Sequence, residues 1–133
     1  MGYECRHGCL AYAGQEPVGW VQVGPRASYP RITTNRLTAG LDSDGVWRCT
    51  CFVVRVGHRR RGVARALLAG AIRFAREQGA RVLEGHPVDV AAREGRVPSA
   101  NLYHGSLSMF SDAGFAEVLR TRPDRPVVRL ALR

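Results

Sequence analysis

Lysine is absent: all twenty basic residues in this chain of 133 are arginine. That excludes a phosphate-binding loop of the Walker type, which needs its lysine to reach the nucleotide. Apolar runs approaching the length of a membrane span are also missing, so no membrane crossing is expected. The start, MGYECRHGCLAY, lacks the charged, then apolar, then small-residue order of a secretory signal, and a cytoplasmic location is expected. Cysteine is sparse. Cys49 and Cys51 lie two apart in an alternating apolar stretch and are expected to share one face as small buried hydrophobes. Cys5, His7 and Cys9 come nearest to a ligand set, but a structural zinc site needs a second matching pair, so no metal is expected and the thiols are read as reduced.

The scarcity of acid is more informative. Between Asp44 and Glu77 there is no carboxylate at all, while Arg48, Arg55, Arg59, Arg60, Arg61, Arg65, Arg73 and Arg76 fall in that gap. Most of the net charge of +9 therefore sits in one segment, and a local anion site accounts for this better than a generally basic surface.

What is present reads as one domain, residues 1–133, large enough to bury a core unaided. GCLAYA (8–13) and PVGWVQV (17–23), joined by a short turn, predict a hairpin. From Gly24 to Gly45 no period is sustained, and a loop this long in a small domain is functional or disordered; its Arg26, Tyr29 and Arg31 are candidates to line a substrate pocket or simply to be solvated. VWRCTCFVV (46–54), β-branched and aromatic, predicts a central strand. A helix follows from about Arg61 to Gln78, with Val63, Leu67, Leu68, Ala71, Phe74 and Ala75 at helical spacing and Gly79 as its stop. ARVLEGHPV (80–88) predicts the next strand, making a parallel crossover unit. A second helix over 101–115, ending at Gly114, and two closing strands, AEVLRTR and PVVRLALR, complete the order. The class is α/β (α+β), a mixed central sheet flanked by helices.

The arginine run, GHRRRGVARALL (57–68), stands where the central strand ends and the helix begins. Free amides of a first helical turn point outward there and the helix dipole adds positive charge, so phosphate is a natural partner. RRRGVA, Arg59 to Ala64, resembles the Q/R-x-x-G-x-G/A signature of the GNAT superfamily of acetyl-coenzyme A-dependent N-acetyltransferases, with Ala64 as the permitted alternative to the last glycine. CFVV before it, the amphipathic helix and strand after it, and SMFSDAGF, which is similar to the superfamily's LYEKLGF ending, extend the resemblance over residues 8–133.

The resemblance implies a GNAT-like fold whose strand–helix–strand core binds acetyl-CoA. Amides of Arg59, Arg60, Arg61, Gly62, Val63 and Ala64 would hold the pyrophosphate. Phe52, Val53 and Val54 would lie beside the pantetheine arm where two parallel strands splay, and an amide near Val54 would polarise the thioester carbonyl. Phe110, also expected beside the coenzyme, occupies the position where many members carry a tyrosine that protonates the leaving thiolate, and it cannot donate. Tyr103, Ser106 or Ser108 could substitute, or the thiolate could leave unaided; the competing reading of Tyr103 is a plain packing residue. For the base that deprotonates the amine, Glu84 and His86 are the candidates: two apart on a strand, they share a face. A burial-raised pKa would suit Glu84 to that work. The competing reading is that Glu84 pairs with an arginine.

Members of this superfamily generally begin with a strand and two helices that wall the acceptor site. This chain starts almost at the hairpin, so that wall is expected to be missing and a second copy to cover the exposed face as a homo-oligomer, most simply a dimer. The expected function is transfer of acetyl from acetyl-CoA to a primary amine. Two alternatives stand beside it: a catalytically degenerate coenzyme binder, and a basic nucleic-acid-binding module, the latter disfavoured because the arginines cluster at one turn without interleaved aromatics.

Overall fold

The computed structural model describes residues 2–5, 8–26, 44–55, 57, 62–89 and 106–132. Seven strands form one mixed sheet: β1 (Gly2–Cys5), β2 (Gly8–Ala13), β3 (Glu16–Pro25), β4 (Val46–Val54), β5 (Val82–Gly85), β6 (Ala116–Arg122) and β7 (Arg125–Ala131), in the order β1-β2-β3-β4-β5-β7-β6. Neighbours are antiparallel except β4 and β5, which run parallel and pair Val46 with Val82 through Cys49 with Gly85. The mixed α/β class and the parallel crossover expected from the pattern are both present. β1 is the exception: a strand ahead of the predicted hairpin, it pairs with β2, Gly2 opposite Tyr12 to Cys5 opposite Cys9. Four residues are too few to display an alternation, which is why hydropathy does not reveal it.

Helix α1 (Val63–Glu77) closes the crossover. It buries Val63, Leu67, Leu68, Gly70, Ala71 and Ala75 against the sheet and turns Arg65, Arg73 and Arg76 outward, so its period matches its environment. Its end is a Schellman motif: Gly79, at φ +84°, donates to Arg76 O, and Ala80 N donates to Ala75 O at 3.0 Å. Helix α2 (Leu107–Asp112) is shorter than the expected 101–115; residues 101–105 lie outside the described residues. Ser106 caps it, accepting from Met109 N, and so serves the helix end. Among the described residues no helix is long and apolar enough to cross a membrane.

Both helices pack on one face of the sheet, where Cys49, Leu67, Leu68, Leu83, Phe110 and Val128 belong to one apolar cluster. Phe110 sits at its centre, edge-on to Phe52 and Phe115, and covers Gly85. The other face carries Arg48 on β4, Glu84 on β5 and Arg129 on β7, which the ladders place side by side. Cys9 is disulfide-bonded, which corrects its reading as a reduced thiol. Cys49 is a free, buried thiol, and burial pushes its pKa up to about 12, so it is inert.

Candidate functional site

The site starts where β4 outruns β5. Their pairing ends at Cys49 and Gly85, yet β4 continues to Val54, so its last residues face a gap on that side. A bulge sits at the same place. Trp20 opposes Val53 and Gln22 opposes Thr50, leaving two residues, Cys51 and Phe52, against Val21 alone. The bulge shifts the phase of the strand: Trp47 and Cys49 face the helices before it, Phe52 and Val54 after it. The expectation that Cys49 and Cys51 share a face assumed an unbroken pleat, and the side chain of Cys51 lies outside the described residues. Val53, 44% exposed, turns to the opposite face.

The backbone at the gap has a definite direction. Arg55 N donates to Val18 O at 2.9 Å, and Val53 O also lies beside β3, close to Gly19. Successive amides alternate along a strand, so that of Val54 points away from β3 and into the gap. A donor so placed can stabilise negative charge developing on a carbonyl oxygen.

Directly after this strand comes the amino end of α1. Gly62, at φ +76°, is its N-cap; among the described residues no side chain caps the helix and no acid occupies its first turn. The first intrahelical bond to Gly62 O comes from Ala66 N, which leaves the amides of Val63, Ala64 and Arg65 without helical partners. Glycine is required by conformation: space around a Cβ at 62 is open, but a left-handed residue of L chirality is strained. Gly62→Ala is expected to cost about 1–2 kcal/mol, read as a lowered Tm. Val63 is buried, packing over Gly19, where a Cβ would lie 2.7 Å from its Cγ1. Ala64 is half-buried on the next turn. Arg65 is tied by Asp112 across the two helices at 2.7 Å, beside an apolar cavity of about 160 Å³. Arg59, Arg60, Arg61 and Tyr103 lie outside the described residues.

On the face away from the helices, below the gap, lies a buried charged cluster. Glu84 Oε1 accepts from Arg26 Nε at 3.1 Å and from His86 Nε2 at 2.8 Å; Oε2 accepts from Arg129 at 2.8 Å. Burial pushes the Glu84 carboxyl up, but the hydrogen bond and charge of His86, the hydrogen bond from Arg129 and the charge of Arg26 outweigh it and hold the pKa down to about 2. The expected burial-raised pKa is thus reversed, and the pairing with arginine is present twice over. Burial pulls His86 below its ordinary value, against the hydrogen bond and charge of Glu84, with Arg48 and Arg26 adding to the downward pull. Glu84 and His86 do come together, as their spacing predicts. Arg129 and Arg48 went unread as members of this cluster, although Arg48 is a lone charge in an apolar strand, the signal that singled out Glu84. Among the described residues no group of three or more His, Cys, Asp or Glu is arranged to hold a metal.

The sequence matches the acetyltransferase (GNAT) family over residues 2–104. Solved structures with the same fold include a ribosomal-protein-alanine N-acetyltransferase from Brucella melitensis (19% identity, 93% of this chain and 67% of that one, TM-score 0.59). An N-acetyltransferase from Staphylococcus aureus Mu50 is similar at 16% identity over 95% of this chain and 67% of that one, TM-score 0.59. So is a CoA-dependent acyl-homoserine lactone synthase, BjaI, at 19% identity over 95% of this chain and 58% of that one, TM-score 0.62. No curated protein matches the sequence.

Proposed function

The chain belongs to the GNAT acetyltransferase family, and on that premise we propose that it transfers an acetyl group from acetyl-CoA to a primary amine. The observation that carries this reading is the succession of a parallel-strand gap, an amide aimed into it from Val54, and an uncapped helix amino end immediately downstream. The amides of Gly62, Val63 and Ala64, with Arg59, Arg60 and Arg61 alongside, would take the coenzyme's pyrophosphate. Phe52, Val53 and Val54 would flank its pantetheine arm. The thioester carbonyl would then meet the Val54 amide, which gains strength as the carbonyl oxygen acquires charge.

The amine must arrive neutral or lose a proton, and Glu84 and His86 are the proposed groups for that step. Phe110 brings no hydroxyl to the leaving sulfur. It is fully buried in the core, against Gly85 and Phe52. Tyr103 stays a proposed donor for the thiolate.

The test is thermal stabilisation by acetyl-CoA compared with a pantetheine fragment that lacks the pyrophosphate, followed by thiol release with a panel of amines. Free ligand at a hundredfold excess over its Kd adds about 2.7 kcal/mol, an easily read rise in Tm. The expected result is a shift that needs the pyrophosphate, with thiol release. A shift without release supports a degenerate coenzyme binder, and no shift combined with salt-sensitive RNA binding supports the nucleic-acid module.

A further inference from the structure

Glu84 and His86 are not interchangeable candidates, because their hydrogen bonds assign them different work. We infer that His86 takes the proton of the acceptor amine through Nδ1, and that Glu84 is a positioning residue, fixed as an anion by Arg26 and Arg129, which holds the ring in its Nε2–H form. This rests on the acyl-transfer reading above.

The assignment follows from donors and acceptors. A carboxylate that accepts from two guanidiniums is ionised and can only accept, so the hydrogen between Glu84 Oε1 and His86 Nε2, 2.8 Å apart, belongs to the ring. A neutral imidazole protonated at Nε2 carries its lone pair on Nδ1. Among the described residues no hydrogen bond takes up that nitrogen, and the side chain keeps 11% exposure, an opening that Glu84 lacks. His86 follows the last paired residue of β5, on the face that Val53 shares, where the two strands have parted.

In the reaction the amine nitrogen attacks the thioester carbonyl carbon, its surplus proton passes to Nδ1, and the C–S bond breaks with its electron pair leaving on sulfur. The proton then returns through water to the thiolate, giving the amide and free coenzyme thiol. While the ring is an imidazolium, Glu84 stabilises its charge. Arg26, directly after β3, is held by the same carboxylate that holds the ring.

Among the described residues the charged groups around the ring are Glu84 on β5, Arg48 on β4, Arg26 after β3, and Arg125 of β7, which donates to the His86 carbonyl at 3.4 Å; Arg129 acts through Glu84. Since the base works when neutral, kcat/KM should fall as pH drops through a limb below the ordinary histidine value.

His86→Gln retains a donor nitrogen for Glu84 but no basic nitrogen. It is expected to lower kcat by about 100-fold or more, to abolish the acidic limb, and to leave Tm and the KM for acetyl-CoA close to wild type. Glu84→Gln removes the charge that supports protonation of the ring, so its limb should move to lower pH. Nitrogen NMR of the labelled protein, with His86→Gln assigning the signals, reads the tautomer without turnover: Nε2 protonated and Nδ1 bare is expected. A ring protonated at Nδ1, or a His86→Gln enzyme with wild-type kcat and limb, overturns this inference alone. A wild-type chain that releases no thiol with any amine overturns the acyl-transfer reading and takes this inference with it.

Discussion

Glu84→Ala is expected to cost the fold about 3–5 kcal/mol, the range for removing one partner from a buried ionic cluster. The carboxylate is fully buried and shared by Arg26, Arg129 and His86, and alanine offers none of them an acceptor. The same interaction predicts a pH dependence. The folded pKa of Glu84 is depressed to about 2 from an ordinary 4.5, so its contribution is complete above roughly pH 5 and is lost as pH falls toward 2. That shift corresponds to about 3 kcal/mol, in line with the figure from truncation. Urea unfolding of the wild type and of Glu84→Ala between pH 7 and pH 2 checks both at once: the two curves should converge as the pH drops. Parallel curves would mean that the carboxylate does not carry its charge into the folded state.

The second large effect lies on the opposite face. A Cβ added at Gly85 would sit 2.3 Å from Cε1 of Phe110 and under 3 Å from two further ring atoms. The ring is fully buried between Phe52 and Phe115 and has nowhere to move without disturbing both. Gly85→Ala should therefore destabilise by about 1–3 kcal/mol through overpacking. Phe110→Leu alone should also destabilise, since it removes ring volume from a close-packed core. Combined, the two substitutions should cost less than their sum, because each relieves the other's defect. Denaturant midpoints of the four proteins in the cycle give the answer, and strict additivity would show that the ring does not rest on the glycine. Phe110 thus has a structural reason to be where it is, whatever it does for a coenzyme.

The elements that could be read from sequence are those whose pattern repeats often enough to count. Fifteen residues of α1 at helical spacing, with Gly79 as the stop, declare a helix and its end, while its start lies at Val63 after Gly62 and not at Arg61. β4 declares itself through its β-branched and aromatic content. β1 is too short to show a period, and the bulge in β4 has no sequence signature at all, since Cys51 and Phe52 suit a regular strand equally well. At the site, spacing was enough to bring Glu84 and His86 together. It was not enough to give the sign of the pKa shift. That sign depends on Arg129 and Arg26, which come from residues far away in the chain and meet Glu84 only through the β5–β7 ladder and the exit from β3. Burial and ion pairing act in opposite directions on a carboxylate, so knowing only that Glu84 sits in an apolar strand leaves the outcome open.

The doubled residue opposite Val21 works like a frameshift written into a strand. Were the strand to keep every residue but run on from Thr50 as an unbroken pleat, its register on β3 would slip by one and inside would exchange for outside in everything downstream: the side chain now at 53 would enter the apolar interior, and those at 52 and 54 would be turned to the other side. The amide of Val54 would change direction with them and close toward β3. A single extra residue thus sets both which side chains face the helices beyond Thr50 and which way the Val54 amide points.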